Sequence, residues 1–229
     1  MGVVKIIPAI LASDLASFEE KFNKVTDLVD RVQIDVIDGV FAEQKTIELT
    51  ELVGREWGGV KLDIHLMVDE PIEWLEQCKA IGADRVFGQI ERMEDVVLFV
   101  AEAQLKGFGV GLAADLGTEL DKIETVIADL DGVLLMSVKA GASGQEFVGA
   151  VLPKIEEVRA RRKGMPIIID GGLDVEEIKQ CIGADWAEEI KEDELREDFG
   201  DMEFVVGSTL WESGSIKEKL EQLENLKNG

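Results

Sequence analysis

The chain has 229 residues, 46% of them hydrophobic, with 24 basic against 48 acidic side chains and a formal net charge of −24. That length suits one α/β barrel, and the acidity excludes the basic footprint that nucleic acid and anionic membranes require. No apolar run approaches the roughly 18 residues of a membrane span, residues 1–11 lack a signal-peptide cleavage pattern, and Cys78 and Cys181 have no metal-type spacing, so reduced thiols and a cytosolic setting are expected.

Short apolar runs alternate with amphipathic stretches along the whole chain. The pattern predicts strands over residues 4–9, 31–37, 61–67, 85–89, 109–113, 132–137, 166–170 and 203–207. Helices are expected between and after them, over 15–28, 47–55, 71–81, 94–105, 119–128, 146–162, 175–181 and 216–226. Apolar strands suited to burial on both faces, each followed by a helix, predict a single (β/α)8 TIM barrel over residues 1–229. Ser13-Asp14 before the first helix and Asp69-Glu70-Pro71 before the third are helix-start signals. An open doubly wound sheet would offer an early Gly-x-Gly-x-x-Gly turn, and none is present. The rhythm breaks once, near 184–202, where the composition predicts an acidic insertion between the seventh helix and the eighth strand. Loops of that kind lie on the barrel face opposite catalysis, so a structural or subunit-contact role and a solvated insertion both stay open.

Barrel enzymes work at the C-terminal ends of their strands. With period 2, Gln33, Asp35 and Ile37 share one face of the second strand, and Asp63, His65 and Met67 share one face of the third. The fourth strand ends at Gln89, the sixth at Met136-Ser137 and the seventh at Asp170-Gly171-Gly172. Asp35, His65 and Asp170 are therefore expected to converge at the barrel mouth. Two carboxylates and an imidazole suit a divalent metal such as zinc, iron or manganese, and a carboxylate can also move a proton as general acid or base. Taken singly, each has an ordinary structural explanation as a core hydrogen-bonding residue or a helix cap. Glycine clusters follow the last three strands: Gly141-Ala142-Ser143-Gly144, Gly171-Gly172 and Gly207-Ser208. Loops after late strands commonly cradle phosphate in this fold.

Five segments then carry a family resemblance: Pro8-Ala9-Ile10-Leu11-Ala12-Ser13-Asp14, Asp35-Val36-Ile37-Asp38-Gly39, Asp63-Ile64-His65-Leu66-Met67, Leu134-Leu135-Met136-Ser137-Val138 and Asp170-Gly171-Gly172. In this order they resemble the ribulose-phosphate 3-epimerase family. The resemblance implies metal-dependent epimerisation of a ketose phosphate, D-ribulose 5-phosphate to D-xylulose 5-phosphate, through an enediolate. It gives Asp35 and Asp170 the acid and base roles, and Asp35, His65, Asp170 and the Gln33 position the metal. It assigns Ala9, Met67 and Met136 to the substrate, and Ser143, Gly144, Gly171, Gly172, Gly207 and Ser208 to its phosphate. The partner implied is a small sugar phosphate, and such barrels often associate, so a homo-oligomer is one expectation.

The chain departs from the family pattern where Gln33 replaces a metal-binding histidine, Ala9 a serine, Ile37 a methionine and Gln89 a histidine. The loop Phe41-Ala42-Glu43-Gln44-Lys45 lacks the usual Pro-Asn, and the loop after the sixth strand keeps only part of its glycine run. These departures motivate an alternative, a catalytically impaired relative that binds a sugar phosphate or a protein partner. A decarboxylase or hexulose-phosphate synthase on the same barrel would want a lysine where Ile37 stands.

Overall fold

The computed structural model describes residues 4–185 and 201–228. Eight strands, β1 (Val4–Ile10), β2 (Arg31–Ile37), β3 (Lys61–Met67), β4 (Arg85–Gln89), β5 (Gly109–Ala114), β6 (Gly132–Met136), β7 (Ile167–Asp170) and β8 (Met202–Val206), pair in parallel. They close in sequence order, β8 returning to pair with β1 from Val4↔Met202 to Pro8↔Val206. Strands such as β6 (GVLLM) and β7 (IIID) are buried throughout, as a sheet covered on both faces requires. Among the described residues, no helix is long and apolar enough to cross a membrane.

The helices are α1 (Leu15–Val25), α2 (Leu75–Ala80), α3 (Val96–Leu105), α4 (Asp121–Glu124), α5 (Leu152–Arg161), α6 (Val175–Asp185), α7 (Ser208–Trp211) and α8 (Ile216–Glu224). Asp14 caps α1 by accepting from the Ser17 amide at 2.8 Å, and the helix then buries Phe18, Phe22 and Val25 against the sheet. Asp95 caps α3 in the same way, accepting from the Leu98 amide at 3.0 Å.

Several expected helices are shorter than the apolar spacing predicts. The helix expected over 47–55 does not form: Ile47, Leu49 and Leu52 are buried, but from extended chain and one 3-10 turn, Leu49–Leu52. Gly54, Gly58 and Gly59 follow at φ 82°, 64° and 89°, a conformation that cannot extend a helix. The helix expected over 119–128 is reduced to α4 and a 3-10 turn, Ile127–Asp129. The β-branched run Thr125-Val126-Ile127 separates the two and favours helix poorly. Likewise 71–81 opens as a 3-10 turn, Pro71–Trp74, before α2, and 146–162 becomes regular only at α5. Helix α6 continues to Asp185 instead of ending at 181, and α7 is an addition that the sequence pattern does not predict. The acidic insertion expected near 184–202 falls largely on residues 186–200, outside the described residues.

Most of the core lies between the sheet and the helices, and a second, smaller cluster fills the lumen with Ile7, Ile37, Phe87, Leu134, Ile168 and Val205. Phe87 occupies the space that Gly111 leaves open, since a Cβ at Gly111 would lie 2.3 Å from the Phe87 ring. Below this layer the lumen is closed by ions. Arg85 donates through Nε to Asp63 Oδ1 at 2.8 Å and through Nη2 to both Asp63 and Glu203. Arg31 pairs with Asp63 from β2, and Lys5 approaches Glu203 at 3.5 Å from β1. The N-terminal end of the barrel is thus a plug of paired charges, and the C-terminal end carries the site.

Candidate functional site

Register places the polar residues at the mouth. Along β2 and β3, Gln33 is opposite Asp63, Asp35 opposite His65 and Ile37 opposite Met67. Gln33 also pairs with Ala9 of β1, and Asp170 of β7 with Met136 of β6. Asp35, His65 and Asp170 therefore meet, each offering a ligand atom within 4.8 Å of the others. Gln33 completes the group: its Nε2 donates to Asp35 Oδ1 at 2.8 Å and to Asp170 Oδ2 at 2.7 Å, while its Oε1 is buried without a partner.

His65 is fully enclosed, with Nδ1 3.4 Å from both Asp35 Oδ1 and Asp170 Oδ2. Burial opposes its charge, but hydrogen bonds to Asp170 and Asp35, reinforced by their charges, raise its pKa to about 9. Burial also holds the Asp170 carboxyl above the ordinary carboxylate range, against the pull of His65 and with the help of the Asp35 charge. On the far side of the ring stands Gln89. With its amide turned so that the oxygen faces the ring, the orientation that satisfies both ends, Gln89 donates to Glu91 Oε2 at 2.8 Å and to the Ala113 carbonyl at 3.1 Å, and accepts from His65 Nε2 at 3.3 Å. Gln89 thereby keeps a proton on Nε2 and directs Nδ1 at the carboxylates, as an outer-shell partner of a metal-binding histidine does.

The donor set fits a divalent cation. Two carboxylate oxygens and an oriented imidazole nitrogen converge, and the orphaned Gln33 Oε1 is a further oxygen that a turn of its amide would bring to the same point. A metal-binding histidine must give up its Nδ1 proton, so cation and proton compete here.

Above the cluster opens a cavity. Asp35 and Asp170 reach it, and Gln33 and His65 lie beneath. Every expected substrate residue lines it: Ala9, Met67, Met136, Ser143, Gly144, Gly171, Gly172, Gly207 and Ser208. Gly171 and Gly172 hold φ 117° and 62°, and a Cβ on Gly172 would sit 2.5 Å from the Phe147 amide nitrogen. Backbone from the β6 and β7 loops is thus in contact, which only glycine permits. Gly172→Ala is expected to cost about 1–3 kcal/mol through the left-handed backbone and the backbone clash; an unchanged urea midpoint would show that the loop yields instead.

Some contributors escape sequence reasoning. Ser137 bonds the Asp170 carbonyl through its amide at 2.8 Å and its hydroxyl at 3.0 Å, tying the end of β6 to the end of β7. Leu11, Lys21, Trp211 and Glu212 also line the cavity. The sequence carried no signal for Lys21, whose position on an amphipathic helix reads as solvent-facing.

A closed parallel barrel that gathers two aspartates, a histidine and glycine-bordered loops at its C-terminal mouth is the framework of a barrel enzyme. The ribulose-phosphate 3 epimerase family model matches residues 5–189, a span that contains every expected site residue except Gly207 and Ser208. The Bacillus subtilis ribulose-phosphate 3-epimerase is 34% identical over 185 residues, covering 76% of this chain and 83% of that protein. The Schizosaccharomyces pombe ribulose-phosphate 3-epimerase is 30% identical over 189 residues, covering 80% and 83%. The chain belongs to the ribulose-phosphate 3 epimerase family and is an enzyme of the isomerase class. Its barrel is also similar to a crystal structure of 3-hexulose-6-phosphate synthase, with a TM-score of 0.65 at 16% identity over 97% of this chain and 98% of that one. An orotidine 5'-monophosphate decarboxylase from Methanocaldococcus jannaschii gives 0.63 at 13% identity over 99% and 100%. At such identities the likeness is one of fold alone.

Proposed function

We propose that the protein interconverts the epimers of a ketose phosphate, D-ribulose 5-phosphate and D-xylulose 5-phosphate, by moving a proton off and onto the carbon beside the ketone. The observation that carries this reading is the pair Asp35 and Asp170, both open to the cavity and bridged beneath it by the Gln33 amide. One aspartate takes the proton from one face of the substrate and leaves an enediolate. The other returns a proton to the opposite face and inverts the centre. Met67 and Met136 supply polarisable walls beside the reacting carbons. The β6, β7 and β8 loops hold the phosphate through Gly144, Gly171, Gly172 and Gly207, with the hydroxyls of Ser143 and Ser208.

Asp35, His65 and Asp170, with Gln33 through Oε1, would hold a divalent ion, zinc, iron or manganese. Such an ion, when bound, supplies Lewis acidity that polarises the ketone. An imidazole at position 33 would be a stronger donor to these metals than an amide oxygen. Gln33→His is therefore expected to tighten zinc binding by about tenfold or more, the order by which changes around a metal move affinity. Chelator competition measures it, and equal affinity in both proteins would remove position 33 from the ion's surroundings. The free, buried Cys78 and Cys181 support a reducing compartment, the cytosol.

The reading is tested by a coupled assay with ribulose 5-phosphate after chelation, and again with zinc, iron and manganese. Turnover restored by at least one metal is expected. No turnover of any pentulose or hexulose phosphate with any of the three would overturn it.

A further inference from the structure

We infer that Lys21 is a specificity residue, a cation that reaches the mouth from α1 to bind the phosphate of the ligand beside Gly207 and Ser208. The inference deepens the epimerase reading and takes its phosphorylated substrate from it.

Lys21 is the only cationic side chain lining the cavity among the described residues, where its charged companions are Asp35, Asp170 and Glu212. Its placement follows from chain direction. Helix α1 starts at the mouth, just after β1, and helical side chains lean toward their own N-terminus. Lys21 flanks the buried stripe of Phe18, Phe22 and Val25, so its stem is covered and its end is carried back up to the mouth. There the ammonium donates to the Leu11 carbonyl at 2.6 Å and lies 5.7 Å from the centre of the Trp211 ring.

Trp211 fixes this corner. It closes α7, the turn of helix that Gly207 and Ser208 begin, and its indole Nε1 donates to the Ala9 carbonyl at 2.9 Å. Because β1 and β8 are neighbours, with Pro8 paired to Val206, Gly207 emerges beside Ala9, two residues before Leu11, and both Leu11 and Gly207 line the cavity. Lys21 thus stands at the β8 edge of the glycine-bordered loops. An ammonium carries three donors, and Leu11 occupies one. Burial lowers the Lys21 pKa, and the charge of Asp35 partly opposes this. The surrounding charge gives the residue its purpose. On a protein of net charge −24, a phosphate dianion meets a repulsive field. Backbone amides contribute partial charges only, whereas Lys21 supplies a full one at the point of contact.

The test is titration calorimetry of inorganic phosphate into the wild-type protein and the variants Lys21→Met, Lys21→Gln and Lys21→Arg, each first checked for its thermal midpoint. Loss of one charged hydrogen bond predicts phosphate affinity weaker by about tenfold to a hundredfold in the Met and Gln variants, with Arg restoring most of it. A role confined to holding Leu11 would instead lower the midpoint and leave the phosphate affinity in place. Equal affinity in all four proteins, or no binding in any, overturns the inference. Turnover absent with every substrate, with phosphate affinity still dependent on Lys21, would remove the epimerase reading alone. Turnover present with an affinity indifferent to Lys21 would remove this inference alone.

Discussion

Asp170→Asn is expected to lower the turnover of the ketose phosphate by about 10²- to 10⁴-fold, the range that a positioned general acid or base supplies. The change is close to isosteric. An asparagine oxygen can still accept from Gln33 Nε2, which now donates at 2.7 Å, and the backbone pairing of Asp170 with Met136 is untouched. What disappears is the proton-carrying oxygen on one side of the cavity. The fall should appear in kcat more than in KM, because the glycine-bordered loops and the methionine walls of the cavity are unaltered. Zinc affinity should fall as well, since one of three converging ligand atoms loses its charge. The thermal midpoint distinguishes a chemical loss from a folding one: a midpoint near that of the wild type with collapsed kcat supports the assignment. Turnover within threefold of the wild type would take Asp170 out of the proton path.

Arg85→Met is expected to destabilise the protein by about 3 kcal/mol, the lower end for breaking a buried ion pair. Asp63 and Glu203 are 1% and 3% exposed, and the Arg85 guanidinium is the group that touches both. Methionine replaces the arginine stem only as far as Nε and offers no donor to either carboxylate. Arg31 and Lys5 would remain as partial neutralisers, which is why the upper end of the range is not reached. Burial already pushes the Asp63 carboxyl above the ordinary range despite Arg85, so without its partner it should rise further. The shift is read from the urea midpoint, and a change under about 0.5 kcal/mol, the range of an ordinary surface substitution, would show that the plug contributes little. Catalysis should follow stability only, because this plug lies at the end of the lumen opposite the cavity.

The strands were legible because eight apolar runs flanked by punctuation leave few arrangements, and their observed limits differ from the expected ones by a residue at most places. Helices were less so. Leu49 and Leu52 are as buried as a helix would make them, yet three left-handed glycines nearby decide the backbone. In the site, alternation along β2 and β3 put Asp35 and His65 on inward faces, but only strand pairing sets them opposite one another. The sequence marked Gln33 and Gln89 as replacements for histidines. It could not show that one bridges two carboxylates while the other steadies the imidazole, since both depend on side-chain contacts between different strands. Lys21 was invisible for a different reason: a lysine on a helix is ordinarily solvated, and only the path of α1 beside the mouth gives it a ligand to meet.

The bond from the Trp211 indole to the Ala9 carbonyl also orders events in time. It joins the first strand to the turn that follows the last, so the β8 side of the cavity is assembled from segments about 200 residues apart and cannot exist while the sheet is still open. A partly folded chain, with seven strands paired, has the aspartates and the imidazole but not the β8 edge of the cavity. Sugar phosphate should therefore act as a late-stage trap, drawing the population toward the sealed ring by mass action and leaving earlier intermediates untouched. In refolding experiments it is expected to slow reopening while the initial collapse keeps its rate.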